Sequence, residues 1–225
     1  MSNMLFADCG GPFELTAAHT VSSWESKPTT EAETAVIAFL QQRPQLYAGK
    51  RLLHVGVGNC SLPAALADDL AAYVGLTVSL PETQLFVEQF ATTEHCKVLL
   101  VNKYDSRHYS KIEGCFDLIV DVNLKSFACC EKHFDQLMAL YAERLNSAGT
   151  LITAESGVVF GWAGNTNVAH TPGAQLAPDV AADRVLGLDG LERVSRSFGL
   201  DLTCVPAAIC EAPGAVEKLW LLRKA

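Results

Sequence analysis

Short apolar runs and longer amphipathic segments alternate along this chain. Five runs are apolar almost throughout, as strands are when helices cover both faces of their sheet; they lie at residues 51–55, 73–78, 97–101, 116–120 and 150–154. Between them, apolar residues recur at helical spacing, at about 30–43, 62–70, 80–90 and 134–145. Strands that alternate with helices predict an α/β fold with a mostly parallel sheet covered on both faces.

The C-terminal part of the chain departs from this alternation. A helix is predicted over 188–198, where Gly199 ends it. Strands over 202–205 and 216–222 follow with no helical pattern between them. These two strands are therefore expected to form an antiparallel hairpin that closes the sheet.

The segment between the strand at 150–154 and this last helix has no regular periodicity. Residues 157–187 are rich in glycine, proline, asparagine and threonine, and the segment is long for a connection in a compact domain. It is predicted to be a lid or a substrate-binding loop. The predicted organisation is an N-terminal helical cap segment at 1–48, followed at 49–225 by one ligand-binding domain that carries this loop.

Two of the predicted helices begin with a capping box, in which a Ser or Thr and a Glu three residues later bond each other's backbone N–H groups. Thr30 and Glu33 form the first pair, and Ser79 and Glu82 form the second. The pattern predicts helices that begin directly after Thr30 and Ser79.

Composition and charge limit the possible partners. The 225 residues are 49% hydrophobic and 19% charged, with a formal net charge of −8, as in a globular protein. The acidic balance, without any Lys/Arg-rich run, argues against nucleic-acid binding. No apolar segment approaches the length of a membrane span, and the N-terminus lacks the basic start of a signal peptide, so no membrane partner and a cytoplasmic location are expected.

The eight cysteines include no C-x-x-C pair and no Cys/His spacing typical of zinc. They are expected to be reduced and to pack as small apolar side chains. No metal site is therefore predicted.

The segment most informative about function runs from residue 51 to residue 63. It combines a strand, a turn containing Gly56 and Gly58, and the start of a helix. Glycines let the backbone bend sharply and approach a ligand closely. The helix start places N–H groups and the positive end of the helix dipole beside that ligand, which favours a nucleotide-like group.

In its order of motifs, the chain resembles the class I S-adenosylmethionine-dependent methyltransferases from about residue 49 to the C-terminus. The segment LHVGVGNC at 53–60 looks like their first motif, FDLIVD at 116–121 like their fourth strand, and LNSAGTL at 145–151 like the turn before the fifth. The last helix and the closing strand are also similar to those of the family. The resemblance implies a seven-stranded Rossmann-like sheet, mostly parallel with an antiparallel last strand, and S-adenosyl-L-methionine as the cofactor.

Three positions differ from the usual pattern of that family. His54 stands where the first motif has an acid, Cys60 stands where it has a glycine, and Thr77 stands where the second strand ends in an acid that bonds the ribose. The segment GLTVS at 75–79 looks like the G-I/L-T-L/V-S motif of the cyclopropane-synthase and tocopherol-methyltransferase-like branch, where a threonine replaces the acid.

The resemblance implies cofactor-binding roles, each with an ordinary structural alternative. The candidates are His54, Gly56, Gly58, Asn59, Thr77, Asp105, Ser106, Asp121 and Val122. Thr77 would contact the ribose, and Asp105 would accept from the adenine amino group beside the backbone N–H of Ser106. The alternatives are a simple tight turn for the glycines and Asn59, strand-end positions for His54 and Thr77, and a solvated loop acid at Asp105.

Catalytic and substrate candidates lie farther along the chain. Asp121 follows a predicted strand, at the edge where open α/β sheets bind their ligands; it could orient or deprotonate an acceptor, or only cap the next turn. His170 is the candidate general base in the irregular segment, because imidazole titrates near neutral pH; the alternative is an exposed loop residue. The candidate substrate contacts are Trp24, for which a core role is the alternative, Trp162 and Asn165.

Three functions are compatible with these features. The leading hypothesis is methyl transfer from S-adenosylmethionine to an oxygen or nitrogen atom of a small molecule. The second keeps the cofactor site but replaces methyl transfer by another reaction, such as a cyclisation, or by no catalysis. The third is a nicotinamide oxidoreductase, since Gly56-x-Gly58-x-x-Ser61 loosely resembles a dinucleotide fingerprint. The sequence carries no signal for the oligomeric state.

Overall fold

The strands of the described residues form two sheets. The computed structural model describes residues 4–6, 12–14, 20–124, 131–158, 188–208 and 216–225. The small sheet pairs β1 (Met4–Phe6) with β2 (Pro12–Glu14) in antiparallel fashion. The large sheet contains β3 (Arg51–Val55), β4 (Ala72–Thr77), β5 (Cys96–Leu100), β6 (Phe116–Val120), β7 (Leu145–Ala154), β8 (Leu200–Ala208) and β9 (Val216–Lys224).

The seven strands of the large sheet hydrogen-bond in the order β5-β4-β3-β6-β7-β9-β8. The pairs among β3 to β7 are parallel, whereas β9 runs antiparallel to both β7 and β8. This arrangement confirms the predicted fold class, including the antiparallel last strand and the closing hairpin.

Helices cover both faces of the large sheet. In the described part of the chain they are α1 (Val21–Glu25), α2 (Glu31–Gln41), α3 (Ser61–Leu66), α4 (Leu80–Phe90), α5 (Glu131–Arg144), α6 (Glu155–Val158) and α7 (Leu188–Ser197). Gly199 has a φ of +68°, which explains why α7 ends where a glycine was expected.

Neighbouring residues of β3 show how the core is divided. Leu52 and Leu53 are both fully buried, but they point to opposite faces of the sheet. Leu52 packs in the apolar cluster of α2, α3 and α4, and Leu53 packs in the cluster of α5 and α7. A continuous apolar strand is therefore required here, as the sequence pattern indicated.

Two local predictions needed correction, and one element was not predicted. The helix expected over 62–70 is shorter, because α3 gives way to a 3₁₀ turn at Ala67–Asp69, where two aspartates oppose the negative end of a helix dipole. The turn expected within 145–151 is a bulge inside β7, with Ala148 at a φ of +59°. The β1–β2 hairpin was not predicted, since its short strands lack a periodic pattern.

The described helices include none that is long and apolar enough to cross a membrane. Most of the predicted lid, residues 159–187, lies outside the described residues.

Candidate cofactor site

The site is built around the glycine turn, which we define as residues 56–60 between β3 and α3. The chain leaves β3 for β4 and β5 on one side of the sheet, and later returns to β6 on the other side of β3. The turn therefore lies at the topological switch point, where open α/β sheets form their ligand crevice.

Positive φ angles explain both glycines of the turn. Gly56 has a φ of +86° and Gly58 a φ of +58°, in the left-handed region that disfavours side chains. A Cβ atom added to Gly56 would have no heavy atom of a described residue within 4 Å, so the described residues leave the space above the turn open. The backbone N–H of Gly56 donates to Leu76 O at 2.8 Å, which ties the turn to β4.

Cys60 has the same left-handed conformation without being a glycine. Its φ is +66° and its side chain is fully buried, so the backbone stores about 1 kcal/mol of strain. Burial, reinforced by the nearby charges of Glu82 and Glu33, raises the pKa of the thiol to about 12. The cysteine is therefore a protonated packing residue, as expected, whereas Cys115 and Cys204 are exposed and do not pack as small apolar groups.

Glu82, in the first turn of α4, reaches back to the glycine turn. Its Oε2 accepts the backbone N–H of Gly58 at 2.9 Å and the hydroxyl of Thr77 at 2.7 Å. Thr77 in turn accepts the N–H of Ser79 at 3.0 Å. Thr77 thus ends β4 without a charge of its own, but a buried carboxylate from the next helix lies directly on its hydroxyl.

Glu33, in the first turn of α2, approaches the glycine turn from the other side. Its Oε1 accepts the N–H of Leu62 at 3.3 Å, and its Oε2 lies 3.9 Å from where a Cβ of Gly58 would be. Burial raises the pKa of Glu33 to about 7; the charge of Glu82 adds to this shift, and the bond from Leu62 opposes it.

The predicted capping boxes are thus only half correct. Thr30 and Ser79 do cap their helices, accepting the backbone N–H groups of Glu33 at 3.2 Å and Glu82 at 3.4 Å. The two carboxylates, however, converge on the glycine turn. Neither glutamate was predicted as a site residue, although their place in the first turn of the helices that flank the glycine turn was a usable signal.

His54 lies in the core beneath the glycine turn. It is fully buried, and its Nδ1 is 2.8 Å from the hydroxyl of Tyr73. Burial lowers the pKa of His54 to about 3, so the imidazole is neutral at physiological pH. It therefore supplies neither the negative charge of the usual acid nor a positive charge, and its predicted contact with the cofactor stays a prediction.

Asn59 connects the glycine turn to the segment before α2. Its Nδ2 donates to Lys27 O at 2.8 Å and to Thr29 Oγ1 at 3.2 Å, while its Oδ1 accepts the N–H of Ser61 at 3.2 Å. These bonds correspond to the turn-stabilising alternative for Asn59. Half-buried Trp24, a predicted substrate contact, lies in α1 with the ammonium group of Lys27 3.9 Å from its ring centroid.

Asp105 follows β5 and is almost fully buried. It caps a 3₁₀ turn at Ser106–Lys111, and its carboxylate accepts bonds of 2.7 and 2.6 Å from the guanidinium of Arg107. Burial would raise the pKa of Asp105, but the bonds from Arg107 outweigh it and lower the pKa. Asp105 and Ser106 therefore lie in an ordered turn rather than in the solvated loop of the structural alternative.

Asp121 lies at the carboxyl end of β6 and is fully buried. Its carboxylate accepts the ammonium of Lys103 at 2.8 and 3.0 Å and the hydroxyl of Tyr141 at 2.8 Å. Lys103 also donates to Asn123 O at 2.6 Å, and burial lowers the pKa of this lysine despite the favourable charge of Asp121. Lys103 and Tyr141 were not predicted as partners of Asp121, because neither lies near it in the sequence.

The remaining predicted residues divide into two groups. Val122 follows Asp121, is buried, and packs so closely on α6 that a Cβ on Gly157 would lie 1.8 Å from its carbonyl oxygen. His170, Trp162 and Asn165 lie outside the described residues. Within the described ranges, no group of three or more His, Cys, Asp or Glu side chains is arranged to hold a metal ion.

Comparison with known proteins adds information on the fold. No protein-family model and no curated protein sequence matches this chain. In structure, the chain is similar to the N-methyltransferase NodS from Bradyrhizobium japonicum WM9 in complex with S-adenosyl-L-homocysteine, with a TM-score of 0.61, 11% identity and 94% coverage of each chain.

Two further solved structures are similar. CalS10, an amino pentose methyltransferase from Micromonospora echinaspora with S-adenosylmethionine bound, has a TM-score of 0.57 and 11% identity over 89% of this chain and 94% of that chain. The [4+2]-cyclase SpnF has a TM-score of 0.55 and 16% identity over 89% of this chain and 85% of that chain. The protein thus has the fold of class I S-adenosylmethionine-dependent methyltransferases.

Proposed function

We propose that this protein binds S-adenosylmethionine and transfers its methyl group to an oxygen or nitrogen atom of a small molecule. The observation that carries the proposal is the convergence of Thr77, Glu82 and Gly58 at the switch point of a class I methyltransferase sheet. It restores a carboxylate at the end of β4, where the sequence alone shows only a threonine.

The residues present fit this cofactor. The described residues leave the space above Gly56 open to a ligand, and two buried carboxylates, Glu33 and Glu82, face the turn. A cationic nucleoside suits such a site, because opposite charges stabilise buried carboxylates. When bound, S-adenosylmethionine would supply an activated methyl group.

The proposed roles of the side chains follow from their positions. Glu82 and Thr77 would hold the ribose hydroxyls, and the ordered turn at Asp105 and Ser106 would hold the adenine. Asp121 would position the loop beside the cofactor, because its carboxylate is already bonded to Lys103 and Tyr141.

A base for the acceptor is proposed to come from His170, in the segment that sequence analysis assigned to a lid. The net charge of −8 favours a small molecule over a nucleic acid as the acceptor. Trp24, Trp162 and Asn165 remain the proposed contacts for that molecule.

The amino end of α3 argues against a dinucleotide cofactor. A pyrophosphate would need the free N–H groups of this helix end. Two of them are already taken, Ser61 by Asn59 and Leu62 by the carboxylate of Glu33. A phosphate placed there would meet Glu33, which disfavours the nicotinamide oxidoreductase hypothesis.

The test has two stages. Isothermal titration should detect binding of S-adenosylmethionine and of S-adenosylhomocysteine, and a labelled-methyl assay over hydroxyl- and amine-bearing small molecules should then detect transfer. Absence of binding of either nucleoside at millimolar concentration would refute the proposal.

A second candidate function is supported by the structural similarity to the cyclase SpnF. In that case the protein would bind the nucleoside with the same residues but catalyse a reaction without methyl transfer. Binding in the titration, combined with no label transfer to any acceptor, would favour this alternative.

A further inference from the structure

The carboxylate of Glu33 is only partly satisfied. The residue is 94% buried, with a relative exposure of 6%. Its Oε1 accepts the N–H of Leu62, but its Oε2 accepts no hydrogen bond from any described residue and faces Gly58. This oxygen is therefore available to a ligand with positive charge or a donor group above the glycine turn.

The groups around Glu33 give it little compensation. Glu82 on α4 faces it as a second acid, and the thiol of Cys60 and the phenol of Tyr73 on β4 lie within electrostatic range as neutral groups. Lys27 is the cation that acts on it, but this side chain is exposed and lies over the ring of Trp24. We call Glu33 and Glu82 the acid pair.

We propose that Glu33 is the residue by which this site distinguishes the cationic cofactor from its neutral demethylated product. The inference rests on the proposed function, because it assumes that S-adenosylmethionine binds at the glycine turn. The two nucleosides share their ammonium, carboxylate, ribose and adenine groups, and differ in the methyl group and positive charge at sulfur. An ionised Glu33 attracts that charge in a low-dielectric site, and the neutral product lacks this attraction because it has no charge at sulfur.

The same arrangement couples binding of the cofactor to the release of a proton from Glu33. Burial and the neighbouring Glu82 hold Glu33 partly protonated at neutral pH in the free protein, whereas the cationic cofactor favours its ionised form. The affinity for S-adenosylmethionine should therefore increase as the pH rises through 7, and binding should release a proton to solvent. Binding of the neutral product depends less on pH.

Titration calorimetry tests the proposal on the unmodified protein. We expect S-adenosylmethionine to bind about tenfold more weakly at pH 6 than at pH 8, because only the protein molecules with an ionised Glu33 bind the cation well. S-adenosylhomocysteine should change by less than about threefold, since it lacks the sulfonium charge. Titrations at pH 7 in two buffers of different ionisation enthalpy should show about half a proton released per cofactor, and less for the product.

The matched variants are Glu33→Gln and Glu31→Gln. Glutamine at position 33 keeps an acceptor for Leu62 but loses the charge, so the pH dependence and the preference for S-adenosylmethionine should both decrease. Glu31 lies on the same helix and is exposed, so its variant should keep the profile of the unmodified protein.

If Glu33→Gln kept that profile too, or if both nucleosides showed equal pH dependence in the unmodified protein, the inference would be overturned while the proposed function stood. A complete lack of cofactor binding at every pH would overturn the proposed function itself.

Discussion

Two buried carboxylate clusters lie at the carboxyl edge of the sheet, and they differ in how their charge is balanced. At the end of β6, Asp121 is bonded to the ammonium of Lys103 and the hydroxyl of Tyr141. At the glycine turn, Glu33 and Glu82 face each other, and only backbone N–H groups and a threonine hydroxyl donate the hydrogen bonds described above.

The difference indicates that the cluster at Asp121 is structural, whereas the acid pair at the glycine turn is suited to bind a ligand. A buried acid with a buried cation has its bonds satisfied, and it holds the elements that carry the two groups together. Burial, with the charge of Glu82 nearby, instead raises the pKa of Glu33 to about 7. The first cluster fixes the loop after β6, while the second is suited to receive a positive ligand.

The largest effect is expected from breaking the balanced cluster. Lys103→Met would leave the buried carboxylate of Asp121 without its cation and should reduce the free energy of unfolding by about 3–5 kcal/mol. Urea unfolding measures the change. Lys97→Met, which alters an exposed lysine of β5, is the control. The double variant Lys103→Met/Asp121→Asn should be more stable than Lys103→Met alone; equal or lower stability would contradict the balance of charge argued here.

Removing a charge from the acid pair should increase the stability of the protein, in contrast to the loss expected at Lys103. The pKa of Glu33 is raised from 4.5 to about 7 in the folded protein, so the folded state binds more protons between these values and its stability falls as the pH rises through them. Glu33→Gln should therefore stabilise the protein at pH 8 by on the order of 2 kcal/mol, and should have little effect at pH 4.5. Thermal unfolding across this range measures the difference. A destabilised variant at pH 8 would mean that Glu33 supports the fold as Asp121 does.

A smaller effect should come from the other member of the acid pair. Glu82→Gln keeps the acceptor for Thr77 and Gly58 but removes the charge, and it should weaken S-adenosylmethionine binding about tenfold, the scale of one charge-assisted hydrogen bond. Calorimetry measures this, with Glu88→Gln on the exposed face of α4 as the control. Unchanged affinity would remove Glu82 from the proposed ribose site.

The smallest effect concerns the neutral pair beneath the acids. Tyr73→Phe removes the hydroxyl that bonds His54 Nδ1 and should reduce the free energy of unfolding by about 1 kcal/mol. Tyr47→Phe, at another buried tyrosine, is the comparison for urea unfolding. A loss as large as that of Lys103→Met would show that this neutral contact carries as much energy as a buried ion pair.

Local patterns predicted the secondary structure well. The helix caps at Thr30 and Ser79, the glycine turn and Gly199 were found because each depends on residues a few positions apart. The long apolar strands of the parallel sheet were also predicted, since covering by helices on both faces leaves a direct signature in the sequence.

The site was predicted less completely, for a physical reason. Glu33 reaches a backbone group 29 residues away, Glu82 one that is 24 residues away, and Lys103 a carboxylate 18 residues away. The periodicity of apolar residues along the sequence does not predict such contacts. The sequence showed the acids as helix-capping partners, and it showed Thr77 as a strand end without charge.

The sequence by itself thus determined the strands of the large sheet in chain order with the main helices between them, the turn at the end of β3 and the class of fold, because backbone propensity and apolar periodicity are local properties. Only the tertiary structure decided which charges meet. Packing of α2 and α4 on one face of the sheet directs Glu33 and Glu82 to the glycine turn, and the fold buries His54 as a neutral group beneath them. The charge that is missing at His54 and Thr77 is supplied from two helices, and this gives the turn the character of a site for a cation.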